Sequence, residues 1–131
     1  MADIKGLIRD GLSKDKRVLS LKAKFIREVG ARALALEESL SSLQALDLSQ
    51  NDIGDEGVRA IADSPVFSNL RTLNLASNRI GDAGARYLAE SKCLKNLKVL
   101  QLVVNDITDD GEKALRTSKN LLNLTSVKFS V

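Results

Sequence analysis

The stretch from Leu73 to Ser91, LNLASNRIGDAGARYLAES, sets Asn78, Asp82 and Gly84 just ahead of a helix-like run. Residues of these types can do chemistry. Glycine-rich turns that feed helix N-termini hold phosphates through backbone N–H groups, and Asp/Asn clusters hold hard cations. The spacing fits neither. The loop lacks the Gly-Lys-Ser/Thr ending of a nucleotide-binding loop, and Asn-x-x-x-Asp-x-Gly does not supply the alternating carboxylates of a calcium loop. The chain has no His and a single Cys, which removes the commonest general base and every zinc-finger spacing. Cys93, flanked by Lys92 and Lys95, reads as a buried or half-buried thiol and not a reactive one. No Ser, Asp or Lys falls into a nucleophile's constellation. The expectation is a protein that is not an enzyme and carries neither metal nor cofactor.

What positions these residues is a repeat. At a shift of 27 residues, LQALDLSQNDIGDEGVRAIADSPVFSN from Leu43, LRTLNLASNRIGDAGARYLAESKCLKN from Leu70 and LKVLQLVVNDITDDGEKALRTSKNLLN from Leu97 superpose without a gap. Upstream, the segment from Lys16 keeps Leu19, Leu21, Ile26, Gly30, Leu34 and Leu40 in register. Downstream, LTSVKFSV from Leu124 begins a further unit. Ile4, Leu7, Ile8 and Leu12 have helical spacing and read as a capping helix. The organisation expected is one domain over 1–131, with a helical cap at 1–15, repeats at 16–42, 43–69, 70–96 and 97–123, and a terminal strand at 124–131.

Within each unit the leucine pairs Leu46/Leu48, Leu73/Leu75 and Leu100/Leu102 alternate with polar or small residues, the period of a strand buried on one face. The runs from Gly57 to Ala62 and from Gly84 to Ala89 instead place apolar residues at helical spacing. The motif LxxLxLxxNxIxDxG…L, followed by a helical stretch, resembles a leucine-rich repeat of the ribonuclease-inhibitor-like subclass over roughly residues 16 to 131. That resemblance implies an α/β solenoid in a short horseshoe arc, with a parallel β-sheet on the concave face and α-helices on the convex face.

The recurrence also reassigns the loop. Asn51, Asn78 and Asn105 stack in successive units, where a carboxamide can bond backbone between adjacent rungs. Ile53, Ile80 and Ile107 should turn back into the core, and Asp55, Asp82 and Asp109 should cap the helix that follows them. Gly57, Gly84 and Gly111 permit close packing. Pro65 is expected to stop a helix, and Tyr87, aligned with alanines, to project outward or fill a local gap.

If the scaffold does no chemistry, function lies on residues the repeat leaves free. The strand positions facing the concave side should be Val18, Ser20 and Lys22, then Ala45, Asp47 and Ser49, then Thr72, Asn74 and Ala76, then Val99, Gln101 and Val103, then Ser126, Lys128 and Ser130. Of these, Ser20, Lys22, Asp47, Ser49, Thr72, Asn74, Ala76, Val99, Gln101, Val103 and Lys128 form the candidate partner-binding face. Val99, Val103 and Val104 make an apolar cluster that either anchors a partner or fills the solenoid's curve. The partner expected is a protein or peptide.

Net charge is +3 and patchwork: nine Lys/Arg against six Asp/Glu over 1–42, one against five over 43–69, five against two over 70–96, and five against four over 97–131. With aromatics at 3%, this points away from nucleic acid, which favours a coherent basic stripe and stacking rings. No segment is long and apolar enough for a signal peptide or a membrane span, so the expected location is cytoplasmic, and the glycosylation triplet Asn123-Leu124-Thr125 reads as a chance match. The terminal strand leaves Leu121, Leu124, Val127 and Phe129 uncovered, so self-association through that edge is a further expectation. An alternative function comes from a second resemblance, to the repeat domains of Ran GTPase-activating proteins, which would make the chain a regulator of a small GTPase. Those domains are longer and carry an acidic tail that this sequence lacks. Ribonuclease inhibition fits less well, since the inhibitors resembled are long, Cys-rich and acidic. A bacterial effector or a fragment of a larger receptor is a third reading.

Overall fold

A computed structural model describes residues 3–130. Five three-residue strands, β1 (Val18–Ser20), β2 (Ala45–Asp47), β3 (Thr72–Asn74), β4 (Val99–Gln101) and β5 (Ser126–Lys128), form one parallel sheet in chain order. Every paired residue differs from its partner by one repeat: Leu19 lies beside Leu46, Leu46 beside Leu73, Leu73 beside Leu100, and Leu100 beside Val127. Like therefore sits on like. Parallel neighbours need a long crossover, and each crossover carries a helix: α2 (Arg27–Leu34), α3 (Gly54–Ala62), α4 (Asp82–Ala89) and α5 (Asp109–Arg116). Helices of eight or nine residues are too short to persist alone in water, so stacking must hold them. The result is the solenoid arc, with a sheet layer, a helix layer and one leucine-rich core between them.

At the N-terminal end α1 (Ile4–Gly11) closes the arc. Its first turn is capped by Asp3, whose side chain accepts from the Gly6 N–H. Ile8 packs into the core and an antiparallel bridge joins Leu12 to Leu19. Phe67 is the core's one fully buried aromatic ring, at 0% exposure. Pro65 does not stop α3, which has already ended at Ala62; it opens a short 3-10 turn, Pro65–Phe67, behind Ser64, whose hydroxyl accepts from the Val66 N–H.

Three side-chain ladders bind rung to rung. In the first, the Asn51 Oδ1 accepts from the N–H groups of Lys24 and Ile26, Asn78 from Asn51 and Ile53, and Asn105 from Asn78 and Ile80. Each Nδ2 donates to backbone carbonyls, among them one in the preceding rung: Leu21, Leu48 and Leu75 respectively. In the second, the hydroxyls of Ser64, Ser91 and Ser118 donate to the carbonyls of Ala35, Ala62 and Ala89. In the third, the amides of Asn69, Asn96 and Asn123 donate to Ser41, Ser68 and Lys95. Buried polar groups persist only when bonded, and no buried side-chain nitrogen or oxygen among the described residues lacks a partner.

Candidate functional site

The residues that first suggest chemistry are spent on the scaffold. Asn78 is fully buried in its ladder. Ile53 and Ile80 turn into the core, and Ile107 packs against it half-buried. The aspartates cap, but not the helix that follows them. Asp55 lies inside the first turn of α3 and reaches across to the next rung, accepting from Gly81 N–H at 2.7 Å and Gly84 N–H at 3.1 Å at the start of α4. Asp82 does the same for α5, accepting from the N–H of Thr108 at 2.7 Å and from its hydroxyl. A carboxylate at a helix start is favoured by unpaired N–H groups and the helix dipole, and here those belong to a neighbour. The Thr108 hydroxyl, then its N–H, hold the Asp82 carboxyl below the usual carboxylate range.

The glycines follow from this arrangement. A Cβ on Gly84 would lie 2.6 Å from Asp55 Oδ1 and 2.6 Å from Ile80 Cγ2, and one on Gly111 would strike Asp82 Oδ1. Among the described residues no group of three or more His, Cys, Asp or Glu side chains gathers where a metal could sit. Cys93 is half-buried with its thiol 3.5 Å from the Asp63 carbonyl. Tyr87 leans from α4 onto α3, its hydroxyl donating to Glu56 at 3.0 Å and its ring 5.2 Å from the Arg59 guanidinium. The Glu56 carboxylate raises the tyrosine's pKa by accepting that proton.

The sheet's outer face carries the candidate residues in three rows set by the strand register. Val18, Ala45, Thr72, Val99 and Ser126 form the first row, and Ser20, Asp47, Asn74, Gln101 and Lys128 the second. The third, two residues beyond, holds Lys22, Ser49, Ala76 and Val103. Ser20, Lys22, Thr72 and Lys128 are exposed, Val99 is 39% exposed, and Asp47, Asn74, Gln101, Ala76 and Val103 are half-buried. Ser49 is only 5% exposed and donates its hydroxyl to Asp47 at 2.7 Å, so it offers a partner little surface.

Three members of the central row fold back on their own strand. Asp47 accepts from Ser49 N–H, Asn74 from Ala76 N–H and Gln101 from Val103 N–H, at 2.9, 3.0 and 3.0 Å. One oxygen of each is thereby engaged. The amide N–H groups of Asn74 and Gln101 have no protein acceptor among the described residues, so the middle of the face presents donors. Of the valines, Val104 is 67% exposed and holds φ at +57°, a left-handed conformation hostile to a β-branched side chain. It does not fill the solenoid.

The last described rung is less enclosed than those before it. Val127 and Phe129 are half-buried and Leu122 is 81% exposed. The Phe129 ring takes the Arg116 guanidinium at 5.2 Å. Among the described residues, nothing donates to the Asp109 carboxylate.

Sequence reasoning missed the Ser64/Ser91/Ser118 and Asn69/Asn96/Asn123 ladders. Both repeat at the same 27-residue interval as the Asn51 set, and that recurrence is the signal that could have found them. No helix among the described residues is long and apolar enough to cross a membrane. The Leucine Rich repeat family profile matches residues 39–62, 68–89 and 93–115. A search of curated proteins returns no match.

Proposed function

The chain belongs to the leucine-rich repeat family, and from that premise we propose that it is a non-enzymatic interaction module that takes a protein or peptide on the outer, concave face of its sheet. One observation carries the reading: the unspent amide donors of Asn74 and Gln101 share the outer face of the sheet with exposed Val99, and exposed Val104 follows where the chain leaves β4. Backbone carbonyls of an extended segment match such donors, and the valines supply an apolar contact. A 27-residue period with a helix in every rung supports placing the chain in the ribonuclease-inhibitor-like subclass, with the cap at 1–15 and repeats from 16 onward. Five strands at about 4.8 Å span only about 20 Å, so a partner is cradled on one side. That favours a small, transient interface. The half-buried Val127 and Phe129 at the edge of β5 support self-association as a secondary contact. A cytoplasmic location accords with one free thiol and no disulfide.

The test is affinity capture from the source cell with the wild-type chain beside Asn74→Arg plus Gln101→Arg. Loss of the captured protein from the double variant is expected, while unchanged capture would remove the concave face from consideration. Small GTPases incubated with catalytic amounts of the chain should hydrolyse GTP at their intrinsic rate. Acceleration would replace binding alone with GTPase regulation.

A further inference from the structure

One residue ahead of each of the first four strands, Arg17, Gln44, Arg71 and Lys98 occupy equivalent positions, and they line a groove of about 710 Å³ along the N-terminal edge of the sheet, away from the central row of the outer face. Arg17, Arg71 and Lys98 are exposed, and none lies within ion-pair distance of a carboxylate among the described residues. The groove's one carboxylate, Asp15, is turned onto its own loop, where it accepts from the Ser13 hydroxyl at 2.7 Å and the Arg17 N–H at 3.1 Å. Adjacent rungs put Arg71 and Lys98 roughly 4.8 Å apart at the backbone, a like-charge pair that an anion between them would relieve.

The same groove supplies acceptors. Asn69, Asn96 and Asn123 have committed their Nδ2 groups to the carbonyls of Ser41, Ser68 and Lys95 at 2.8, 2.8 and 2.7 Å. No donor among the described residues reaches their Oδ1 atoms. The backbone carbonyls of Arg17, Gln44, Arg71 and Lys98 each already take two N–H groups, so the acceptors left in the groove are side-chain oxygens: those of the three asparagines in a row, with the Gln44 carboxamide, the Ser42 hydroxyl and the second Asp15 oxygen beside them. A row of cations beside a row of acceptors asks for a ligand that is anionic yet rich in donors.

We propose that this groove binds an acidic, extended segment of another polypeptide, its carboxylates against Arg17, Arg71 and Lys98 and its backbone N–H groups against the three asparagine oxygens. A phosphate chain meets the cations equally well but turns further acceptors toward the asparagines. An extended peptide carries N–H donors along the same backbone as its carboxylates, whereas a nucleic acid's donors sit on its bases, away from the phosphates, and this favours peptide. Because the cations are exposed, affinity is modest and salt-sensitive.

The probe is a fluorescein-labelled peptide of alternating Glu and Ser, followed by anisotropy at low ionic strength. Saturable binding that weakens with added salt is expected, and Arg71→Glu plus Lys98→Glu should lose about tenfold or more in affinity. Arg71→Gln plus Lys98→Gln, checked by thermal melting, gives a smaller loss and stands in if the reversal fails to fold. Asn74→Ala plus Gln101→Ala should bind like the wild type, which separates this groove from the concave face. Absence of binding, equal binding of the same peptide with Gln in place of Glu, or tighter binding of oligo-deoxythymidine at the same residues would each overturn the proposal.

Discussion

The rung from Leu70 and the rung from Leu97 carry the same motif, yet they live in different physical settings. Asn78 is fully buried and Asn105 half-buried; Ile80 is sealed and Ile107 is not. Asp82 caps a neighbour's helix, whereas Asp109 has no following helix to cap among the described residues. Both asparagines still reach back and bond the preceding rung. What differs lies ahead: the N–H groups of Asn78 and Ile80 are received by Asn105, while among the described residues no asparagine receives those of Asn105 and Ile107. A motif residue thus contributes what its neighbours make of it. This is the nearest-neighbour energetics of a solenoid written in individual hydrogen bonds.

The asparagines give the largest contrast. Asn78→Ala removes two accepted and two donated bonds and leaves the Asn51 and Ile53 N–H groups buried without partners. Net hydrogen bonds near 1 kcal/mol each, together with unpaired buried donors, put the loss at about 3–4 kcal/mol. Asn105→Ala breaks a similar set where water can enter, and should cost about 1–2 kcal/mol. Urea melts of the two variants measure both. Equal losses would mean that burial, and with it position along the arc, does not decide a rung residue's worth.

Much of this was legible because the core obeys a single period. Leucines at alternate strand positions and asparagines at a constant interval announce the sheet and its ladder without reference to any contact. The direction of the aspartate caps was not legible. Asp55 sits where local rules place a cap for its own helix, but its partners Gly81 and Gly84 lie in the next repeat, and only stacking brings them within reach. The central row is polar in sequence, but the turning of Asp47, Asn74 and Gln101 onto N–H groups two residues ahead depends on backbone angles past the strand end. The left-handed residues Ala23, Gln50, Ser77 and Val104 recur at the repeat period but share no side-chain chemistry that would betray them. The Ser64 ladder differs, since its serines do recur at the repeat period, but any one serine in a turn is too common to draw notice by itself.

Those left-handed positions supply a second contrast between the same two rungs. Ser77 and Val104 have φ of +58° and +57°, and only Val104 is β-branched. Replacing it with Asn, which tolerates this region, should stabilise the chain by about 1 kcal/mol. Ser77→Val should destabilise by a similar amount. Thermal melting separates the two signs. Val104 is also more exposed than Val99, so Val104→Asn should raise stability while weakening partner capture, the combination expected where strain is retained for a contact.

The smallest contrast concerns acid. Thr108 donates to Asp82 through its hydroxyl and its N–H, and the Gly111 N–H also favours the ionised form, so the folded-state pKa lies below that of the unfolded chain. A depressed carboxylate contributes its stability in full above the unfolded value, about 3.9, and loses it as pH falls through the folded value. Asp82→Asn should therefore melt lower than the wild type at neutral pH, and the gap should close as pH drops below about 4. Asp109→Asn, which breaks no hydrogen bond among the described residues, is the matched control on the following rung. If the gap between wild type and Asp82→Asn stayed constant from neutral pH down to the acid transition, the cross-rung cap would owe nothing to the carboxylate's charge, and the difference between the two aspartates would reduce to shape.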